Sequence, residues 1–256
     1  MRVSKYRDVT LLQIDESRYF TIACDSCGGI GMSELDIVKV EESLVGYLTT
    51  RVCLFETLAF RAKPTLLINT LCVEMEGRGK RILTGIKQAI KEYNEVQFFN
   101  EALDIDITGS TEENIPTLQT ALGITVMGEI YHPFERPLVN KGDVVILIGY
   151  PKVGQEVLID INENLNEIVS FQSLKQLTVL QGVKDILPVG SQGVKYELKQ
   201  LSKIHNKDIQ INENEPALLE KSAGPATCVI AVVDRNHIQN VHDCISQQIT
   251  QLGEII

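Results

Sequence analysis

CDSCGGIG, residues 24–31, follows a short apolar and β-rich run, YFTIA at 19–23, that reads as a buried strand. Asp25 directly after such a strand, with Gly28, Gly29 and Gly31 behind it, sets a carboxylate at a strand end beside backbone able to approach an anion closely. That pairing suits a metal ion and phosphates. It is neither a Walker loop nor a dinucleotide fingerprint, since no Gly-Lys-Ser/Thr closes it and no GxGxxG is present. A glycine turn between two strands, carrying an ordinary surface Asp, fits the same residues. The flanking segments have to separate the two readings.

The 256 residues are 44% hydrophobic and 23% charged, an ordinary balance for a globular protein with one large domain or two modest ones. A formal net charge of −10 argues against a nucleic-acid partner, which needs a positive surface to displace counterions. A small phosphorylated ligand held with a cation is compatible with it. No apolar run approaches the roughly 18–20 residues of a membrane span, and MRVSKYRD has no signal-peptide core, so the expectation is a cytoplasmic protein without a membrane partner. The six cysteines (24, 27, 53, 72, 228, 244) fall mostly in apolar segments and read as reduced, buried thiols. Cys24 and Cys27 form a lone CxxC with no second pair to complete a zinc site.

Upstream, VTLLQI at 9–14 and a DESR turn at 15–18 lead into the first strand, with Asp8 just before. Downstream, 35–40 reads as a further strand, and 41–60 carries Leu44, Val45, Leu48, Val52, Phe55 and Leu58 at helical intervals. Glu56 sits late in that helix, either exposed on a polar face or pointed at a site. An apolar strand follows at 65–75 and an amphipathic helix at 79–93. After 103–107 comes TGSTEENIPTLQTALG (108–123), which reads as an elaborate helix N-cap or as hydroxyls and acids gathered beside a strand end; 124–130 resumes as a strand. Pro133, Pro137 and the Lys141-Gly142-Asp143 turn mark a boundary, giving domains 1–138 and 139–256. In the second half, helices are expected at 155–166, 194–204 and 236–252, strands at 144–148 and 227–233, and a loop at 185–193. Of the four histidines, His205 and His242 fall on expected helices as structural or exposed residues, and Lys152, just after the second-half strand, reads as a surface lysine ahead of a phosphate contact. The element order indicates an α+β (mixed α/β) fold in two lobes.

Taken together, these segments resemble the AIR-synthase-like superfamily of ATP-using enzymes. The likeness runs through Asp8, CDSCGGIG, Glu56 before Ala62-Lys63-Pro64, the TGST segment, the KGDVVILIG turn and the DILPVGSQG loop, in that order over nearly the whole chain. It implies a two-lobed fold whose N-terminal sheet pairs with its twin in a homodimer, and acids that hold magnesium on the phosphates of ATP. By position, Asp8, Asp25 and Glu56 would be metal ligands, Asp25 also the catalytic candidate. Gly28, Gly29, Gly109, Ser110, Thr111 and Glu112 would lie against the nucleotide. Ser110 stands where the family carries an acid, so that Glu112 or Glu113 would substitute, and Arg61 replaces a common glycine. The glycine-rich N-terminal arm of some members has no counterpart here, as in shorter members such as thiamine monophosphate kinase. ACDSCGGIG, TGSTEENIPTLQTALG, DILPVGSQG and KSAGPAT are similar to the α-ribazole kinase group, which phosphorylates a salvaged benzimidazole nucleoside for the lower ligand of cobalamin. The implied activity is transfer of a phosphoryl group from Mg-ATP to a small hydroxyl acceptor. An AIR-synthase type of ATP-dependent ring closure and a non-catalytic nucleotide-binding homodimer are the competing readings.

Overall fold

The computed structural model describes residues 1–99, 104–132, 134–212 and 214–256; Leu103 and Pro133, which figure in the sequence reading, lie outside them. The chain forms two compact units, Met1–Phe134 and Glu135–Ile256, each described by itself.

The first unit runs β1 (Arg2–Tyr6), β2 (Val9–Gln13), β3 (Tyr19–Gly28), the two-residue strands β4 (Ile30–Gly31) and β5 (Val38–Lys39), α1 (Glu42–Ala59), β6 (Lys63–Leu71), α2 (Lys80–Val96), β7 (Asp106–Thr111) and β8 (Ala121–Ile130). Six strands make one sheet in the order β1-β2-β3-β8-β6-β7. All neighbours are antiparallel except β6 and β7, whose parallel pairing needs a crossover, supplied here by α2. The long β3–β8 ladder alternates cleanly. Thr21 and Ala23 of β3, and Leu122, Ile124, Val126, Gly128 and Ile130 of β8, are buried, while the residues between them are half-buried or exposed. The buried face lies under α1, whose thirteen buried residues include Cys53, Leu54, Phe55 and Leu58. Helix α2 then packs on α1, and two glycines set the closeness. A methyl group on Gly46 would stand 3.1 Å from Ile82 Cα, and one on Gly85 would stand 2.7 Å from the Tyr47 backbone nitrogen.

Several sequence expectations change. The β1 strand was not read, because RVSKY is almost wholly exposed and lacks a buried apolar alternation. The strand read at 19–23 continues through Asp25 to Gly28, since β8 pairs with all ten residues. Asp25 is therefore inside a strand, not beyond its end. The strand expected at 35–40 shrinks to Val38–Lys39. The capping-box reading of 108–123 fails: Thr108–Thr111 are the end of β7 and 112–120 is loop, because β6 offers that segment a parallel ladder. The thiols are all free but only Cys53 and Cys228 are buried; Cys24, Cys72 and Cys244 are exposed, strand alternation or chain turns having carried them outward.

The second unit runs β9 (Val144–Gly149), α3 (Gln155–Glu163), α4 (Phe171–Val179), β10 (Val183–Pro188), α5 (Val194–His205), β11 (Ile209–Ile211), α6 (Pro216–Glu220), β12 (Cys228–Val233), α7 (Ile238–Cys244) and β13 (Ile249–Ile255). Its antiparallel sheet has the order β10-β12-β9-β13-β11. VVILIG and CVIAVV are buried at every residue, as central strands covered on both faces must be. Val194, Leu198 and Leu201 of α5 join Leu147 and Ile230 in one core. Three readings are corrected. Helix α4 was missed within a polar stretch. The 185–193 loop begins as strand β10, and the helix expected to 252 stops at Cys244. Ile245, Ile249 and Leu252 keep helical spacing, but the free edge of β9 pairs with β13 instead.

Candidate functional site

Strand register gathers the singled-out segments. Asp25 pairs with Ile124, Ile124 with Asn69, and Asn69 with Gly109, a single row across four strands. The next two rows carry Ser26, Gly123, Thr70 and Ser110, then Cys27, Leu122, Leu71 and Thr111. CDSCGGIG (24–31) and TGST (108–111), distant in sequence, thus end at the same end of one sheet.

Alternation sends Asp25, with Cys27, to the face under α1. Burial raises the Asp25 carboxyl above its ordinary value, with the Ser26 amide pulling the other way. The Cys27 thiol is pushed up to about 11 by burial and then by the Asp25 charge, against the Thr49 hydroxyl. On α1, Cys53 donates to Ile124 O at 3.3 Å, and its thiol is raised well above its ordinary value by burial, then by Asp25, Cys24 and Glu56. Asp25 and Glu56 therefore bear on the same thiol from strand and helix. Glu56 is 9% exposed, so of the two readings of this residue the polar-face one is overturned: helical phase turns it inward with Cys53, three residues before. Asp8 is exposed in the β1–β2 turn. The Thr10–Ile22 pairing places that turn toward the Cys24–Asp25 end of β3.

Among the described residues no three His, Cys, Asp or Glu side chains converge as a metal cage. The two acids of this part of the fold, Asp25 on β3 and Glu56 on α1, offer hard oxygens. Magnesium characteristically takes one or two carboxylates and completes its shell with water and substrate phosphate. A buried carboxylate whose charged form is disfavoured by desolvation gains most from such a cation, so the residues present fit an ion that arrives with a phosphorylated ligand.

The glycines divide. Gly29 has φ +72°, a left-handed turn, whereas Gly28 is exposed with only Ala121 Cβ near, at 3.9 Å. A side chain on Gly109 would collide with Asn69, whose Nδ2 donates to Thr108 O at 2.9 Å, so this glycine is required by strand packing. Ser110 is exposed. Thr111 Oγ1 donates to Glu113 Oε1 at 2.6 Å, and the same oxygen accepts from Met75 N at 2.9 Å. Glu112 Oε1 accepts from Asn114 N at 2.8 Å and Ile115 N at 3.1 Å. Both glutamates are thus engaged in shaping their own loop.

What the sequence reading missed is the clamp behind the two loops. Asp36, 5% exposed, accepts from Ser33 N, Thr120 N and Thr120 Oγ1, each at 2.8 Å. Arg78 Nη1 donates to Ser33 Oγ at 2.7 Å and Thr117 O at 3.2 Å, and its guanidinium pairs with Glu74. The only sequence signal was an acid set between apolar residues in ELDIV. Burial pushes the Asp36 carboxyl up, but the Thr120 and Ser33 bonds outweigh it and hold it below the usual range. Its stabilisation is therefore present above the unfolded value and is lost as pH falls through the lower folded one. Asp36→Ala is expected to cost about 2 kcal/mol at neutral pH, measured by urea unfolding, with the difference from wild type shrinking in acid.

In the second unit, Asp185 and His205 are both 3% exposed and bonded at 2.8 Å, so His205 is structural and Asp185 is strand interior rather than a loop contact. Lys152 is a correction: it is 7% exposed, paired with Asp160 at 2.9 Å and with Glu167.

Solved structures of similar shape are HypE from E. coli (15% identical, covering 92% of this chain and 80% of that one, TM-score 0.62) and thiamine monophosphate kinase from Aquifex aeolicus (13%, 98% and 89%, 0.65). AaThiL complexed with AMPPCP and TMP matches with TM-score 0.67 at 13% identity, over 97% of this chain and 84% of that one. The chain has the AIR-synthase-like fold. No family model and no curated protein matches the sequence. At these identities the AIR-synthase-like likeness establishes architecture alone.

Proposed function

We propose that this protein transfers the γ-phosphoryl group of Mg-ATP to a hydroxyl of a small nucleoside-like acceptor, α-ribazole being the acceptor favoured by the wording of its motifs. The observation that carries this reading is the row joining Asp25 to Gly109, on the sheet face under α1, the helix in which Glu56 is buried. AaThiL, whose fold this chain shares, is a complex with AMPPCP and TMP, a nucleotide analogue beside a phosphorylated small molecule.

Phosphoryl transfer asks a protein mainly for positioning and charge placement. Asp25 and Glu56 would hold the cation from a strand and a helix, and Asp8 would approach from the adjoining turn. Magnesium, when bound, neutralises the phosphate oxygens. Gly28 and Gly29 leave backbone accessible to the nucleotide, and Ser110 and Thr111 offer hydroxyls from β7, three strands along the sheet. Asp25 would also orient the acceptor hydroxyl. The uncovered face of the sheet, with Leu12, Phe20, Ile22, Leu66, Ile68 and Met127 only half-buried, supports a homodimer formed through this unit.

One observation favours a non-catalytic nucleotide binder. Ser110 supplies no carboxylate, and Glu112 and Glu113 are committed to their loop. Phosphorus NMR and mass analysis of products from ATP, magnesium and a panel of α-ribazole, thiamine monophosphate and common nucleosides separates the readings. A new phosphomonoester on α-ribazole is the expected result. Free phosphate with ring closure would indicate the AIR-synthase reaction, and Mg-ATP binding without turnover would indicate the binder.

A further inference from the structure

The five-stranded sheet has an unfinished edge. β11 pairs with β13 from Gly253 to Ile255 and Asn212 N donates to Leu252 O at 2.7 Å, so that among the described residues Ile249–Gln251 have β9 on one side and no strand on the other. Gly149 N donates to Gln248 O at 2.9 Å, so Gln248 and Thr250 face β9 and, by antiparallel alternation, Ile249 turns its N–H and C=O outward. Gln251 O takes a side-chain bond from Asn212 Nδ2 at 3.4 Å. Helix α6 stands apart from this edge, and the gap between β13 and α6 is a trough of about 330 Å³. A second, shallower hollow of about 490 Å³ shares Asn212 and Gln251 with it and runs on along β11.

Exposed strand edges are ordinarily blunted by lysine, proline or a covering element. QITQ at 248–251 has neither residue, and among the described residues nothing covers it. We infer that this trough is a docking site for an extended peptide segment, which adds as a strand beside Ile249 by main-chain hydrogen bonds. Three features choose the occupant. The outward groups of Ile249 are a donor and an acceptor on one residue, which a polypeptide backbone satisfies and an apolar ligand does not. The two joined hollows are elongated, and the wall formed by Asn214–Leu219 stands where a second folded sheet edge, bringing its own wall, would collide. Glu215 is the charged side chain along the trough, Glu254 of the second hollow being paired with Arg235, so the segment carries a basic residue where it passes Glu215. This site lies in the second unit and does not rest on the kinase reading.

The test is hydrogen exchange and fluorescence anisotropy on the full chain with a labelled peptide of alternating threonine and valine flanked by lysines. A glutamate-flanked version and one N-methylated on alternate amides serve as controls. Expected is slowed exchange at the Ile249 amide, binding about tenfold weaker for the acidic peptide, and none for the methylated one. Glu215→Arg, an exposed substitution, should weaken the lysine peptide by a similar factor while leaving unfolding unchanged. Absence of binding at millimolar peptide, protection mapped elsewhere, or protection of Ile249 arising from self-association without peptide would overturn the proposal.

Discussion

Asp25→Asn is expected to lose the proposed metal-dependent ATP turnover by about 10²–10³-fold, the scale seen when one group that stabilises developing charge is removed, and to melt at a higher temperature than the wild type. The two effects have one cause. Burial raises the Asp25 carboxyl, so the folded state holds its proton more tightly than the unfolded chain does. For such a group stability is greatest in acid and is lost as pH rises from the unfolded value through the folded one. At neutral pH the wild type carries the full cost of a desolvated carboxylate, and the neutral amide removes it. Thermal melts between pH 4 and 8 should show the variant's advantage growing with pH. Turnover equal to the wild type would take Asp25 out of the site, and a lowered melting temperature would show that its charge is already compensated in the free protein.

Gly85→Ala is the largest stability loss expected, about 3 kcal/mol or more by denaturant unfolding. The added methyl group meets backbone, the Ser43 carbonyl and the Tyr47 nitrogen at 2.7 Å, and backbone cannot rotate away as a side chain would. Relief requires α2 to separate from α1, which exposes Ile82, Ile86 and Leu54, all fully buried. Because α1 is also the element that carries Glu56 and Cys53, the shift should weaken nucleotide binding in whatever fraction remains folded. Gly154→Ala is the control: nothing lies within 4 Å of its added carbon, although its φ of +53° makes even this change mildly unfavourable.

Much of the framework was legible because buried elements write their period into the sequence. α1, α2, α5 and the apolar strands β9 and β12 follow the expected spacing within a few residues. Elements defined by a partner rather than by their own pattern were not legible. β1 and β7 are mostly exposed and exist because β2 and β6 have edges to pair, and β13 was mistaken for helix because isoleucines four apart satisfy either period. The site divides the same way. Asp25, Glu56 and the TGST segment stand out through the motifs they sit in, and strand register brings Asp25 and TGST to one end of the sheet. Asp36, Thr120 and Arg78 were not, since a residue whose work is to tie two loops together has no local signature.

Asp25 owes its orientation to a ten-residue ladder rather than to a loop, and this restricts how the chain can vary in length. Losing or gaining one residue between Thr21 and Cys24 while β3 keeps its upstream pairing would turn the carboxylate to the uncovered face and bring a neighbouring side chain beneath α1. Insertions in the 32–37 or 112–119 turns leave that parity untouched. Divergent copies of this protein are therefore expected to differ in the length of those turns and to hold the spacing from Tyr19 to Gly28 fixed, a constraint that a comparison of sequence lengths alone can check.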